Sequence, residues 1–219
     1  MAHTQKVTER ACPHCGAETK SAHFCSECQK IQPVAAGADY FSFFDLPRKL
    51  KLDEAALEKD FYALSRRLHP DYFMTASNEE RQASVEQSSM LNDAYRTLRD
   101  RVARAQYLLS LEGYKEAEKK APPDLLEEVF DLNMQIEELK AAKKMGDADD
   151  VAEARSSLEE ALSGLEGKLR EIDDKLYAMF GDWDSAADEE RKRVLDGMSE
   201  LLSHRSYIRN LVRDIKEEI

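Results

Sequence analysis

The chain has 219 residues, of which 42% are hydrophobic and 35% charged, and its 8 Gly and 6 Pro are few enough to predict an all-α fold. Its net charge of −12 lies mainly in residues 114–219, where 28 acidic and 17 basic residues give −11, which argues against a nucleic-acid-binding surface. No apolar run is long enough for a membrane helix, and neither a secretory signal nor an Arg-rich presequence is visible, so we expect a cytoplasmic protein, or a mitochondrial matrix protein if the source is eukaryotic.

All the cysteines lie near the beginning of the chain, in two Cys-x-x-Cys pairs that nine residues separate. They are Cys12, Cys15, Cys25 and Cys28. In a chain without secretory features, this pattern predicts one structural zinc ion per chain, bound by four thiolates. Disulfides or redox exchange are one alternative, and iron or a labile cluster is another. The small residues 33–38 then indicate a linker, so residues 1–38 are interpreted as a zinc module with its linker.

Residues 39–113 contain three helical patterns. Asp53 is predicted to cap the first, which must end before Pro70. Its expected buried face is Leu57, Phe61, Leu64 and Leu68. Ser77 and Glu80 form a capping-box pattern before the second helix. The expected buried face of that helix is Val85, Leu91, Tyr95 and Leu98. A third helix is predicted from Arg101 to Leu111, with Gly113 ending it.

The tripeptide His69-Pro70-Asp71 follows the first of these helices, and Arg66 and Arg67 lie in the last turn of that helix. Pro70 stiffens the loop and so holds His69 and Asp71 as a rigid polar pair. Asp71 can then meet an arginine of a partner in a charge-assisted hydrogen bond, while the two arginines attract an acidic surface. One alternative is that His69 and Asp71 only cap a turn. A catalytic His-Asp dyad is another, but no nucleophile lies nearby in sequence.

A His-Pro-Asp tripeptide between two antiparallel helices resembles the J-domain, whose loop docks on a heat shock protein 70 chaperone and stimulates ATP hydrolysis. Further segments are similar to the HscB-type J-proteins. They are residues 39–47, the pairs Leu91-Asn92, Ala94-Tyr95 and Thr97-Leu98, and residues 104–109. Tyr72 departs from that family, in which basic residues are common at this position. Eukaryotic members carry a similar pair of Cys-x-x-Cys motifs before the J-domain.

The resemblance implies a co-chaperone that is not itself an enzyme. Such a protein stimulates the ATPase of an HscA- or DnaK-type heat shock protein 70, using residues 39–113 as its J-domain. It also delivers an IscU-type iron-sulfur cluster scaffold protein to that chaperone. One alternative is a general J-protein for unfolded clients, although no Gly/Phe-rich linker is visible. Another is a zinc-ribbon adaptor, but the net charge of +1 in residues 1–38 gives poor support for nucleic-acid binding.

Residues 114–219 are predicted to form a client-binding bundle of three helices after Pro122-Pro123, with breaks at Gly146-Asp147 and around Gly181-Asp182. Three heptad-like apolar stripes support it. They are Leu125, Val129, Leu132, Ile136 and Leu139; Val151, Leu158, Leu162, Leu165, Leu169, Ile172 and Leu176; and Val194, Met198, Leu201, Ile208, Val212 and Ile215. A single long coiled coil with a partner chain is the alternative.

The helix predicted over residues 124–140 carries a second apolar row, Leu126, Phe130 and Met134, displaced by one residue from the first stripe. A helix of a three-helix bundle needs only one stripe, so we expect the second row to be exposed. In HscB-type proteins the matching helix carries the scaffold-binding patch. The resemblance therefore implies that this row binds the scaffold, with Asp131 as an acidic neighbour. A broad core face or packing against the J-domain is the alternative.

Overall fold

The computed structural model of the chain describes residues 10–19, 22–114 and 125–219. The predicted Pro122-Pro123 opening of the bundle lies outside these residues. The chain divides into two compact units, residues 1–108 and residues 109–219. Within the described ranges, no helix has both the length and the apolar content that a bilayer crossing requires.

The first unit begins with a small cysteine module, which we define as residues 10–19 and 22–32. Two short antiparallel strands, β1 (Arg10–Ala11) and β2 (Glu18–Thr19), pair in it. A single bridge joins Phe24 to Ile31. These short pairings hold two cysteine-bearing turns beside each other, and the other elements of the described residues are helices.

Helix α1 (Tyr40–Phe43) follows the linker. Asp39 caps this helix and forms an ion pair with Arg48 at 2.7 Å. The backbone N–H of Tyr40 donates to the hydroxyl of Tyr107 at 3.0 Å. The start of the predicted J-domain is therefore fastened to its last helix.

The J-domain segment forms helices α2 (Glu54–Leu68), α3 (Asn78–Arg99) and α4 (Arg101–Leu111), as the sequence predicts. Helices α2 and α3 are antiparallel, because Glu54 meets Arg101 just beyond the end of α3 and the Phe61 ring stacks on Tyr95 at 4.1 Å. The predicted caps are also present. They are Asp53, the Ser77–Glu80 capping box, and Gly113 with φ +84°.

The buried face of α3 differs from the predicted one. Val85 is 57% exposed, so placing it in the core was wrong. The buried residues of α3 are Ala83, Ser84, Gln87, Leu91, Ala94 and Leu98. Their spacing of three and four residues follows one helical face, and Val85 lies about 100° away from Ser84 on the helix. Two polar residues, Ser84 and Gln87, thus lie on the buried face of α3, where the predicted face had Val85.

The second unit is a three-helix bundle of α5 (Leu126–Met145), α6 (Ala148–Ser185) and α7 (Asp188–Glu218). All three predicted stripes contribute to its core. The fully or largely buried residues include Leu132, Leu139, Leu158, Leu165, Ile172, Leu176, Met198, Ile208, Val212 and Ile215. The chain folds back on itself, since Glu166 of α6 pairs with Lys216 of α7. The single-coiled-coil alternative is therefore wrong.

Both predicted breaks in the bundle are present, but the second lies a few residues later than predicted. Gly146 adopts φ +79° after α5, and Asp147 caps α6. Helix α6 continues past Gly181 and Asp182 and ends at Ser185. Its apolar stripe continues past the glycine through the buried Phe180 and Trp183, and this burial outweighs the roughly 1 kcal/mol that one helical glycine costs.

Candidate functional sites

The four cysteine sulfurs come together at one point of the cysteine module. All four Sγ atoms lie within 4.8 Å of one another, and two pairs are 3.7 Å (Cys12–Cys28) and 3.8 Å (Cys15–Cys25) apart. A tetrahedral zinc ion with Zn–S bonds of about 2.3 Å places its sulfurs about 3.8 Å apart. Disulfide sulfurs are about 2.05 Å apart, and all four cysteines are free thiols. The cluster therefore fits a four-thiolate metal site.

The two cysteine pairs have the same backbone geometry. In the first, Gly16 N–H donates to the Cys12 carbonyl at 2.9 Å, and in the second Gln29 N–H donates to the Cys25 carbonyl at 3.1 Å. Gly16 has φ +73° and Gln29 has φ +58°. This repeated turn explains the glycine after the first pair and points the two sulfurs of each pair toward one centre.

The thiols of the cluster influence each other's ionisation. Burial raises the pKa of Cys12, but hydrogen bonds from the backbone of Cys15 and His14 and from Gln32 lower it to about 6. For Cys28, a backbone hydrogen bond from Lys30 lowers the pKa, but burial and the neighbouring thiols raise it to about 12. Four thiolates so close together need a cation to coexist, which is the condition that a soft divalent metal satisfies.

The His69-Pro70-Asp71 loop leaves α2 in the geometry that its proline requires. His69 is extended (φ −60°, ψ 128°), and residues 70–73 form one 3₁₀ turn. The backbone N–H of Asp71 donates to Nδ1 of His69 at 3.3 Å, so His69 does cap this turn. The His69 side chain is nevertheless 52% exposed and that of Asp71 is 78% exposed. The turn thus presents both polar groups to solvent.

Arg66 and Arg67 lie where predicted, in the last turn of α2, but their surroundings differ. Both are exposed, but only Arg67 has its guanidinium over the ring of Phe24, 4.5 Å from its centroid. A cation over an aromatic face is held in place without losing its charge. The cysteine module therefore orients one of the two basic residues beside the loop.

Sequence reasoning missed the residues that anchor the loop. The carbonyl oxygen of Leu68, the last residue before His69, accepts hydrogen bonds from the hydroxyls of Ser84 (2.7 Å) and Ser88 (2.9 Å) of α3. The last carbonyls of a helix have no partner within it, so these serines supply one. The available signal was the position of Ser84 in phase with Leu91, Ala94 and Leu98 on the buried face of α3.

The second apolar row of α5 is exposed, as predicted. Leu126, Phe130 and Met134 are 56%, 64% and 50% exposed, and Asp131 beside them is also at the surface. Leu132 and Leu139 on another face of the same helix are buried. The α5 helix thus has one row in the core of its unit and another that offers three large apolar side chains to solvent.

Comparison with known proteins gives the same picture for both units. The DnaJ domain family matches residues 39–107. An iron-sulfur cluster co-chaperone HscB homolog of Arabidopsis thaliana is 34% identical over 77% of this chain, which spans 62% of that relative. The HscB co-chaperone of Mus musculus is 30% identical over 88% of this chain and 74% of its own length. The crystal structure of human co-chaperone HscB superposes with a TM-score of 0.72 at 26% identity, over 95% of this chain and 98% of that one.

Proposed function

The chain belongs to the HscB family of J-domain co-chaperones of iron-sulfur cluster assembly, and from this premise we propose that it stimulates the ATPase of a heat shock protein 70 chaperone and delivers a scaffold protein to it. Its relatives are named iron-sulfur cluster co-chaperones. A J-domain protein regulates the reaction of its partner and is not a catalyst itself. The partner chaperone is of the HscA or DnaK type and the scaffold of the IscU type.

The observation that carries the chaperone part is the exposed, backbone-fixed pair of His69 and Asp71. A carboxylate that stands out from a rigid turn pairs with an arginine of the partner at a small entropy cost. Pro70 fixes the backbone of the turn, which holds Nδ1 of His69 3.6 Å from a carboxylate oxygen of Asp71. The geometry suits docking, because the polar groups are ordered before the partner arrives.

The basic residues of α2 extend this chaperone-binding surface. Arg66 is exposed, and Arg67 is held over Phe24 with its charge retained. Positive charge beside the loop attracts an acidic partner surface and affects mainly the rate and orientation of encounter. Loss of Arg66 should therefore slow association more than it weakens the final complex.

For the scaffold, we propose the row of Leu126, Phe130 and Met134, with Asp131 as an acidic neighbour. Exposed side chains of this size are uncommon in contiguous rows unless they serve as binding anchors. The row lies in residues 109–219, whereas the loop lies in residues 1–108. The two binding events thus use different compact units and should be separable by mutation.

We further propose that Cys12, Cys15, Cys25 and Cys28 hold one zinc ion. When bound, the ion supplies structural cross-linking, since four thiolates close its coordination shell. The protein would act in the bacterial cytoplasm, or in the mitochondrial matrix in a eukaryote, where its chaperone and scaffold reside.

The function is tested by measuring the ATPase rate of the chaperone with this protein and the scaffold added separately and together. Stimulation by this protein is the expected result. No stimulation at any concentration contradicts the proposal.

A further inference from the structure

The cysteine module contacts both helices that flank the His69-Pro70-Asp71 loop. On α2, its Phe24 lies under Arg67, two residues before His69. At the start of α3, its Lys30 pairs with Glu80 at 2.9 Å. The module therefore spans the two ends of the loop and ties them to one metal-binding centre.

Gln87 of α3 makes the most buried of these connections. It is fully buried, and its amide nitrogen donates to the carbonyls of Gln32 (2.9 Å) and Ala22 (3.2 Å). Its amide oxygen lies 3.0 Å from Nδ1 of His23. Since the amide nitrogen is used for the two carbonyls, the oxygen is the acceptor and Nδ1 of His23 is the donor. All three partners belong to the cysteine module.

The same face of α3 holds the beginning of the loop. Ser84 and Ser88, three residues before Gln87 and one after it, both donate to the carbonyl of Leu68. Residues so placed on α3 move together with the helix backbone. A shift of α3 at Gln87 would therefore reach the residue before His69 through two short hydrogen bonds.

The cysteine module is too short to bury a core of its own. A segment of this length, below about 40 residues, buries too little apolar surface to be stable alone and usually needs a metal. In such a segment, the free energy of metal binding is also the free energy that drives folding. The order of Ala22, His23 and Gln32, and so of the partners of Gln87, thus depends on the thiolate centre.

We propose that metal occupancy of the cysteine module sets the order of the His69-Pro70-Asp71 loop, with Gln87 as the positioning residue that connects them. The cysteine module then controls how well the loop is ordered, in addition to stabilising the N-terminal segment. Its effect on chaperone stimulation rests on the proposed function, whereas the effect on loop order does not.

The test is hydrogen exchange of the full-length protein, measured by mass spectrometry before and after the metal is removed with a chelator under reducing conditions. We expect the peptide covering residues 66–76 to exchange at least about tenfold faster without the metal, which corresponds to about 1.4 kcal/mol. Peptides within α6 serve as the internal control and should not change. Unchanged exchange in residues 66–76, while residues 22–32 lose all protection, overturns the proposal.

Two Gln→Met variants of α3 distinguish loss of the Gln87 hydrogen bonds from general damage to the helix. Gln87→Met keeps the side-chain volume but removes the three hydrogen bonds, and it should accelerate loop exchange in the metal-loaded protein as metal removal does in the parent. The matched control is Gln82→Met, an exposed glutamine of the same helix that bonds only locally to Glu86 in the described structure. Metal removal should add little to Gln87→Met, since both changes break the same connection. Full additivity of the two effects contradicts the proposed role of Gln87.

If Gln87→Met loses protection throughout residues 39–108, Lys30→Gln replaces it. This change breaks the half-buried pair with Glu80 and should give a smaller acceleration in the same peptide. A chaperone assay then measures the consequence. The concentration for half-maximal stimulation should rise at least about threefold in Gln87→Met, with the maximal rate preserved, because a disordered loop must be ordered on binding. If the parent protein does not stimulate the chaperone, the proposed function fails, and the exchange data still decide whether the metal controls the loop.

Discussion

Ser84 donates a 2.7 Å hydrogen bond to the carbonyl oxygen of Leu68, so a buried hydroxyl in the middle of one helix fixes the last residue before the His69-Pro70-Asp71 loop. Ser88 donates to the same oxygen. The loop is thus positioned by its neighbouring helix as well as by its own proline. This relationship makes the stability of the J-domain depend on two small polar residues.

Replacing both serines by alanine should destabilise the first unit by about 1–3 kcal/mol, since a buried carbonyl would then lose its hydrogen bonds. Chemical denaturation of the Ser84→Ala/Ser88→Ala variant measures this. Ser89→Ala, an exposed serine of the same helix, is the control and should stay within about 0.5 kcal/mol of the parent. Equal stability of the double variant and the control would show that the hydrogen bonds contribute nothing net.

The purified protein should contain one zinc ion per chain and no disulfide. Elemental analysis with thiol counting checks this, and Cys15→Ser/Cys28→Ser should abolish the stoichiometric metal, because it removes one ligand from each pair. Nonspecific metal adhesion would not depend on these two positions. Metal-free protein with all four cysteines in disulfides would contradict the assignment.

The two cysteine turns offer a reciprocal test of backbone strain. Gln29 has φ +58°, a conformation that costs an L-residue roughly 1–2 kcal/mol. Gln29→Gly removes this strain but adds the entropy cost of glycine, so it should stabilise the metal-loaded module by up to about 1 kcal/mol. Gly16→Ala should destabilise it by about 1 kcal/mol, and no neighbouring atom lies within 4 Å of the added Cβ to clash. Chelator competition compares the metal affinities of both variants with the parent. Shifts of the same sign in the two variants would rule out this explanation.

The exposed row of α5 should be needed for scaffold binding but not for folding. Alanine at Leu126, Phe130 and Met134 together should weaken scaffold affinity at least about tenfold, or about 1.4 kcal/mol, with Phe130 contributing most. Calorimetry measures the affinity, and the melting temperature should change little because the side chains are exposed.

Two further variants of α5 define what a negative result means. Met145→Ala removes a residue that is 81% exposed and lies outside the row, so scaffold affinity should be unchanged. Leu139→Ala removes a buried residue and should cost about 2–5 kcal/mol of stability. If the triple variant binds like the parent, the row is not the binding surface; if it melts like Leu139→Ala, the row belongs to the core.

Much of the helical fold is readable from the sequence, because apolar spacing reports the buried face of a helix directly. The stripe from Leu158 to Leu176 and the cap at Asp147 are examples. The end of α6 was not predictable from Gly181. The burial of Phe180 and Trp183, which continue the apolar stripe, outweighs the cost of one glycine in the helix. Local signals are misleading where tertiary burial decides.

The site was predicted only in part, and for a similar reason. The His69-Pro70-Asp71 motif and the four cysteines are contiguous or regularly spaced, so the sequence exposes them. Gln87 and Lys30 act through partners about 50 to 65 residues away along the chain. Periodicity carries no information on such polar contacts, and Gln87 would be taken for an interruption of the apolar face of α3 and not for its connection to the cysteine module.

The most direct test of the co-chaperone function is the single-turnover ATPase rate of the partner chaperone with loop variants. We predict that His69→Gln and Asp71→Asn reduce stimulation to the basal rate while unfolding free energies stay within about 0.5 kcal/mol of the parent, because both side chains are exposed. Asp60→Asn, which removes an exposed carboxylate from α2, is the matched control and should stimulate normally. Stimulation by His69→Gln and Asp71→Asn at the level of the parent would contradict the account.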